Sequence, residues 1–293
     1  MNLREMRLPP GWYPAESGEI IRFLRDKAFP QNAPAAVAPH AGWFFSGAIA
    51  AAAVSSLRGA ETIAVLGGHL PRGMPPLFAR EDGVKTPLGN IMIDGELREL
   101  VERELAGRGR VKEDLGDDNT VEVLLPMIRC FHPEARILWM RLPAEESSFE
   151  TGKILARIAA GAGRTIAVLG STDLTHYGRN YGFSPRGSGP EALAWVRDVN
   201  DRAFIDAVEG GNPGEILERA EADRSACSAG AVLGVAGYAA EISAPNAAAG
   251  TGKGALKARL AAYGTSADAF PGRPVPDSFV GYGAFVFGGP VPA

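Results

Sequence analysis

Three uninterrupted apolar segments constrain the fold of this chain more strongly than any other feature of its sequence. They cover residues 35–38, 63–67 and 166–170. Apolar runs without polar alternation are typical of strands buried on both faces, as in parallel sheets. A helix-forming, Ala-rich segment follows the first run, which indicates a βα unit. The sequence therefore predicts an α/β fold with a mostly parallel central sheet flanked by helices.

The rest of the chain supplies the other elements of such a fold. Residues 135–142 predict a further buried strand, and Ser46 is the expected N-cap of a helix that begins the Ala-rich segment. The remaining helices are expected at residues 18–27, 94–106, 117–128, 151–160, 190–209, 213–222 and 228–240, with closing strands at 256–264 and 278–287. A loop is expected at 250–254 and a possible lid at 181–190. No domain boundary is visible, so residues 1–293 are predicted to form one domain.

Composition narrows the functional class. The chain carries 30 Lys and Arg against 34 Asp and Glu, a formal net charge of −4, with no basic stripe for a nucleic acid. No apolar run is long enough for a membrane span, and residues 1–10 lack the apolar core of an export signal. The two cysteines, Cys130 and Cys227, are too few for a disulfide scaffold, so reduced thiols and a cytoplasmic location are expected.

Histidines follow the apolar segments at equivalent positions. His40 and His69 each come just after such a segment, and Asp173 and His176 follow a third. In open α/β sheets, ligands bind at the carboxyl ends of the strands. We therefore expect these side chains to share one site, whereas His132, the fourth histidine of the chain, is expected to be structural.

Two histidines and a third ligand, with open positions, are typical of non-haem iron and catalytic zinc sites. Cys227, Asp173, His176 or Glu122 could provide the third ligand. A Cys227 thiolate would favour zinc, copper or iron over magnesium. The competing interpretation of Cys227 is a buried, unreactive thiol, the commoner fate of a single cysteine.

Several segments, in this order, resemble motifs of the Memo family, which includes the AmmeMemoRadiSam system protein B. They read Gly-Trp-Tyr-Pro at residues 11–14, Ala-Pro-His-Ala-Gly-Trp at 38–43, Leu-Gly-Gly-His at 66–69, Asp-Asn-Thr-Val-Glu-Val-Leu-Leu-Pro at 118–126, Ser-Thr-Asp-Leu-Thr-His-Tyr-Gly at 171–178 and Val-Gly-Tyr-Gly-Ala at 280–284. The resemblance extends over nearly the whole chain, and the ordered set is more specific than any one motif.

This resemblance implies the three-layer α/β fold of class III extradiol dioxygenases and a redox protein that binds iron or copper. It implies metal ligands at His40, His69 and Cys227, with Asp173 and His176 beside them. The chain departs from the family in three places: a single His69 replaces a doubled histidine, Asn119 replaces a histidine, and no Gly or Pro of the cysteine motif follows Cys227.

The leading hypothesis is a metal-dependent, dioxygenase-like oxidoreductase that uses Fe(II), or zinc or copper, on a small substrate. In it, His176 acts as the general acid or base and is oriented by Asp173 or a backbone carbonyl. The expected substrate-binding residues are Trp43, Asn119, Glu122 and Tyr177. For the two aromatic residues core packing is the competing interpretation, and for Glu122 it is helix capping.

Two other functional classes stay open. The first is a non-catalytic binding or scaffold protein whose pocket takes a peptide or a small molecule, which the loss of a family histidine at Asn119 favours. The second is a zinc-dependent hydrolase with the same ligands. The sequence leaves the oligomeric state undecided.

Overall fold

The computed structural model describes residues 1–30, 32–109, 111–244 and 256–288. Within these ranges the chain forms twelve strands and ten α-helices. The strands are β1 (Leu3–Arg4), β2 (Ala35–Ala38), β3 (Thr62–Leu70), β4 (Leu77–Phe78), β5 (Gly83–Thr86), β6 (Gly89–Met92), β7 (Lys112–Glu113), β8 (Arg136–Pro143), β9 (Ile166–Ser171), β10 (His176–Gly178), β11 (Ala258–Thr265) and β12 (Ser278–Phe287). The helices are α1 (Ser17–Leu24), α2 (Trp43–Ser56), α3 (Gly95–Ala106), α4 (Asn119–Glu122), α5 (Leu125–Phe131), α6 (Ser147–Gly161), α7 (Pro190–Trp195), α8 (Asp201–Gly210), α9 (Pro213–Ala222) and α10 (Ala229–Ser243). The loop expected at 250–254 lies outside the described residues.

The central sheet has the strand order β10-β12-β2-β9-β3-β8-β4-β7, with β11 also paired to β12. Its four inner strands, β2, β9, β3 and β8, are all parallel. Antiparallel strands flank them, β12 beside β2 and β4 beside β8. Strands β1, β5 and β6 form a separate three-stranded sheet. The predicted α/β class with a mostly parallel core is confirmed.

The layers follow from the alternation of side chains along the buried strands. In β2, Val37 belongs to the core cluster that helices α6 and α10 cover, whereas its neighbour Ala36 belongs to the cluster under α2 and α5. In β3, Leu66 and Val65 divide between the same two clusters. Since successive strand residues point to opposite faces, both faces of the sheet are apolar and both need a helical layer.

Helices α6 and α10 are packed so closely that only glycine fits between them. A Cβ atom on Gly152 would lie 1.9 Å from the carbonyl oxygen of Gly234, and one on Gly237 would lie 1.9 Å from that of Phe149. This contact sets the distance between the two helices that cover one face of the sheet, and Cys227 lies just before α10.

The structure corrects three of the expected boundaries. Helix α2 begins at Trp43 with Gly42 as its N-cap, so Ser46 lies inside the helix and its hydroxyl donates to the carbonyl of Ala41. The helix expected at 117–128 is two helices, because Pro126 starts a new first turn. The helix expected at 190–209 is divided by a π-helical segment at 196–200.

No helix in the described part of the chain is both long and apolar enough to cross a bilayer. That one domain spans residues 1–293 stays a prediction.

Candidate metal centre

His40 lies directly beyond the carboxyl end of β2 and is 1% exposed. Its ring nitrogen Nδ1 is hydrogen-bonded to the hydroxyl of Ser171, at 2.8 Å. Its backbone N–H donates to Oδ1 of Asp173, at 2.7 Å, and its carbonyl accepts from the amide of Asn119. These contacts fix the ring so that Nε2 lies 3.3 Å from Sγ of Cys227.

His69 lies near the end of β3, in a strand that loses its regular pairing between Gly67 and Leu70. Its φ of 56° is in the left-handed region, which few residues with side chains adopt. The sequence predicts His69 just past the strand, whereas the structure places it inside β3, in the irregularly paired segment at the end of that strand. Its side chain is 33% exposed, and Nδ1 lies 3.0 Å from Oδ2 of Asp118.

Asp118 is held in place by two further residues. Nη2 of the buried Arg141 lies 3.1 Å from Oδ2 of Asp118, and the backbone N–H of Thr120 donates to Oδ1 at 2.9 Å. Burial raises the pKa of Asp118, but its bonds to His69 and Thr120 and the charge of Arg141 outweigh burial and keep this pKa well below its usual range. Asp118 is therefore a fixed carboxylate that orients the His69 ring.

Cys227 precedes α10 and is half-buried. The backbone N–H of Asp173 donates to its Sγ at 3.3 Å. Burial raises the pKa of the Cys227 thiol, but the neighbouring His40 and His69 outweigh burial and hold this pKa well below its usual value. The thiolate form is therefore favoured, and it is the form that binds metals.

The histidines carry the matching positive charges. Burial lowers the pKa of His40, but Asp173 and Cys227 outweigh it and raise the net value. Burial also lowers the pKa of His69, but Asp118 and Cys227 outweigh it and raise the value to about 10. A cation that entered between these rings and the thiolate would displace protons.

The donor set fits a metal ion. One ligand atom each from His40, His69 and Cys227 lie within 4.8 Å of one another. A tetrahedral metal with ordinary bond lengths to nitrogen and sulfur separates those two atoms by about 3.6 Å, close to the 3.3 Å between His40 and Cys227. In both histidines Nδ1 is occupied by a protein partner, which leaves Nε2 for the ion.

His176 and Asp173 lie beside these ligands. Nδ1 of His176 donates to the carbonyl oxygen of Leu174 at 3.1 Å, so in the neutral ring Nε2 carries no proton. Of the two expected partners for His176, the structure therefore shows the backbone carbonyl. The buried Asp173 carboxylate binds the backbone of His40, and its Oδ2 lies 4.0 Å from Nε2 of that ring.

A second buried carboxylate anchors the loop that carries Asp173 and His176. Oδ1 of Asp201 accepts from the backbone N–H of Thr175 at 3.0 Å, and Oδ2 accepts from the hydroxyl of Tyr263 at 2.7 Å. Burial raises the pKa of Asp201 to about 6, against the lowering effect of these hydrogen bonds.

A cavity of about 590 Å³ opens over the site. His40, His69 and His176 line it together with Asp173 and Asn119. Its other walls are mainly aromatic and apolar and include Trp12, Phe44, Phe45, Tyr181, Phe270, Val280 and Tyr282. The mixture of an apolar wall and a few converging polar groups is typical of a small-molecule pocket.

Of the four expected substrate-binding residues, Asn119 lies on this cavity wall, and the other three are not part of its described lining. Trp43 is buried and donates from Nε1 to the carbonyl of Val123. Tyr177 is buried, and its ring stacks on that of Phe279 with centroids 5.0 Å apart.

The Glu122 carboxylate accepts hydrogen bonds from the backbone of Arg7 and Leu8 and from the hydroxyl of Tyr13. It thus ties the first residues of the chain to α4. The substrate-binding roles of the four residues stay predictions.

Sequence reasoning missed the residues that orient the ligands. The negative charge of Asp118 is expected to stabilise the N-terminus of a helix, and Asp118 is indeed the N-cap of α4. The sequence does not show that the second oxygen of this carboxylate is hydrogen-bonded to His69. Ser171 begins the family-like motif at 171–178, whereas nothing in the sequence pattern distinguishes Arg141 as an orienting residue. The position of Asp118 directly before Asn119 is a usable signal, because it falls inside a motif of the suspected family.

The chain is similar to known proteins over most of its length. The sequence profile of the family described as "Memo-like protein" matches residues 4–286. The chain is 30% identical over 230 residues to a MEMO1 family protein of Pyrococcus abyssi, which covers 73% of this chain and 77% of that protein. It is 28% identical over 281 residues to a MEMO1 family protein of Thermococcus onnurineus, covering 92% and 91%.

Among solved structures, the chain is similar to that of an uncharacterized protein from Escherichia coli K12, with 14% identity and a TM-score of 0.45. The match covers 86% of this chain and 99% of that one.

Proposed function

This chain belongs to the Memo-like protein family, and we propose that it is a metal-dependent oxidoreductase that acts on a small molecule. The metal ligands in this proposal are His40, His69 and Cys227. The observation that carries it is the convergence of their three donor atoms within 4.8 Å, beside a cavity that His40 and His69 line. Placing the buried His40 beside a thiolate is costly without a ligand, since charged groups leave water to form the pair.

The donor types favour a transition metal. A thiolate and two imidazoles select iron, copper or zinc over magnesium and calcium. We propose Fe(II), because imidazole, thiolate and the neighbouring Asp173 carboxylate, whose Oδ2 lies 4.0 Å from Nε2 of His40, are all donors that non-haem iron accepts. Copper and zinc are the alternatives that the same donors accept.

The residues of the chain would divide the chemistry among them. When bound, the metal would supply Lewis-acid polarisation of a substrate oxygen and a change of oxidation state. His176 would take up or release a proton at Nε2, since its Nδ1–H is already donated to Leu174. The aromatic wall would hold the apolar part of the substrate and exclude water from the site.

Metal content tests this proposal directly. The wild-type protein is purified without oxygen, and its metals are measured beside those of the His40→Ala, His69→Ala and Cys227→Ala variants. Cys130→Ala is the matched control, because Cys130 is a half-buried free thiol outside the ligand cluster. We expect about one iron per chain in the wild type and the control. We expect a loss of ten-fold or more in each ligand variant.

Oxygen uptake by the iron-loaded protein, measured with a panel of catechols, then tests the oxidoreductase chemistry. Zinc in place of iron, with no oxygen uptake, would instead support a hydrolase. No metal bound under any condition would refute the metal centre and favour a module that binds a peptide or a small molecule. A cytoplasmic location is part of the proposal, because a thiolate ligand must stay reduced.

A further inference from the structure

A second, smaller cavity of about 340 Å³ reaches the same cysteine. It is lined by His176, Tyr181, Phe183, Ala220, Arg224, Ala226 and Cys227. His176 and Tyr181 also line the main cavity, so these two side chains form the partition between the cavities. Their rings touch edge to face, with centroids 4.9 Å apart. A ligand in the smaller cavity therefore lies beside both Cys227 and the proposed proton carrier.

Arg224 has an unusual backbone. Its φ is 50°, and within the described ranges only His69 also combines a side chain with a positive φ. Such conformations are disfavoured for residues with a Cβ and tend to be kept where function requires them. One of the two residues is a proposed metal ligand, and the other is at the wall of a cavity that opens on a second proposed ligand.

The guanidinium of Arg224 is tethered loosely to the loop that carries Tyr181. Nη1 donates to the carbonyl of Gly182 at 3.2 Å, and the guanidinium carbon lies 5.6 Å from the centre of the Phe183 ring. An arginine offers five N–H donors in a planar fork. Most of these donors are left for a ligand.

The positive charge of Arg224 is not neutralised by its neighbours. In the described part of the chain it forms no ion pair, although two acids lie within three residues of it. Asp223 pairs with Arg219, at 3.2 Å, and Glu221 pairs with Arg72, at 2.9 Å. The nearby carboxylates are thus occupied by other arginines, which leaves the exposed Arg224 guanidinium without a carboxylate partner in the described part of the chain.

We propose that Arg224 binds a carboxylate group of the substrate in this smaller cavity, so that the substrate of the metal centre is a small organic acid. The inference rests on the proposed function and adds the substrate class to it. A carboxylate matches the guanidinium fork with two parallel hydrogen bonds. With the acid group held there, the adjacent substrate atoms lie at His176 and Cys227.

A single negative charge suits this cavity better than a phosphate. Arg224 is the one cationic side chain in the described lining apart from the titratable His176. One guanidinium balances a carboxylate, whereas a phosphate dianion would be only half neutralised. The remaining walls, Phe183, Ala220 and Ala226, are apolar and offer no second positive charge to an anion.

Ligand binding to the full-length protein tests the inference, with benzoate as the probe and benzamide as its neutral counterpart. Saturation-transfer NMR titrations are run on the metal-free and the Co(II)-loaded protein, for the wild type, Arg224→Met and Arg179→Met. Methionine keeps the apolar stem but removes the charge. Arg179 is an exposed arginine in the neighbouring turn that does not line the cavity, so its variant controls for net charge.

We expect Arg224→Met to weaken benzoate binding about ten-fold or more, and to leave benzamide binding and Co(II) uptake unchanged. The Arg179→Met protein should match the wild type. Equal benzoate affinity in both variants, or a wild type that prefers benzamide, would overturn the role of Arg224. Failure of the wild type to take up Co(II) would count against the metal centre alone, because the metal-free titration still tests the anion site.

Discussion

Asp118 offers the sharpest test of how the centre is built, through the substitution Asp118→Asn. In the wild type, the two carboxylate oxygens face three N–H donors, from His69, Arg141 and Thr120. An amide has one oxygen and turns an NH2 group toward the donors on its other side. Turned one way, the new amide presents its NH2 group to His69 and Arg141, which lose their acceptor. Turned the other way, His69 keeps an oxygen acceptor that no longer carries a negative charge, and the N–H of Thr120 loses its acceptor. In both cases the His69 ring is held less firmly than in the wild type.

Loss of a residue that orients a metal ligand typically lowers metal affinity about 10-fold to 100-fold, which is about 1.4–2.7 kcal/mol. The deficit should grow between pH 7 and pH 9. The pKa of His69 is raised to about 10, partly by Asp118, so in the wild type a proton competes with the metal at neutral pH. The Asp118→Asn substitution removes part of this competition. That gain offsets some of the lost affinity at pH 7 and less of it at pH 9.

The assay is a chelator competition that measures the dissociation constant of Co(II) or Zn(II) at pH 7, 8 and 9. Asp117→Asn is the matched control, because Asp117 is the adjacent acid, is 64% exposed and pairs with Arg7 instead of a ligand. Thermal unfolding of both variants checks that the fold persists. If the two variants bind metal within two-fold of each other at every pH, Asp118 does not position His69 and the reasoning fails.

Three further predictions concern reactivity and stability. In the metal-free protein at pH 6, iodoacetamide should modify Cys227 faster than Cys130, because the pKa of Cys227 is lowered and burial raises that of Cys130; mass spectrometry after short labelling measures both. Asp201 should stabilise the protein by about 2 kcal/mol more at pH 4.5 than at pH 7, because its folded pKa of about 6 exceeds the unfolded value, so it takes up its proton in the folded state first. Urea unfolding of the wild type and of Asp201→Asn at both pH values measures the contribution of Asp201 to the free energy of unfolding. If the difference between the two proteins is the same at pH 4.5 and pH 7, the prediction is wrong. Gly152→Ala should lower the free energy of unfolding by about 2 kcal/mol or more, since its methyl group meets a backbone oxygen of α10. Gly161→Ala, at the open end of the same helix, should be nearly neutral in the same melts.

The sequence predicts those features of the fold that depend on residues close together in the chain. The apolar runs before His40 and Asp173 mark buried parallel strands, and strand direction alone brings these residues to one edge of the sheet. The contacts that orient the ligands could not be inferred in this way. Ser171 is 131 residues from His40, and Arg7 is 115 residues from Glu122. Which polar side chains meet over such distances depends on packing between layers, and a hydrophobic pattern does not contain that information. The break between α4 and α5 is visible in the sequence as Pro126, but the apolar periodicity around it favours one continuous helix.

The three proposed ligands differ in how readily each could release an ion. His40 is buried under its hydrogen bonds, and Cys227 precedes a helix that packs closely through glycines against α6. His69 alone combines an exposed edge with a disfavoured backbone conformation. Because a chelated ion leaves by breaking one bond at a time, dissociation should begin at His69. The fold would then assign two properties to different residues: His40 and Cys227 determine where the metal lies, and His69 determines its residence time.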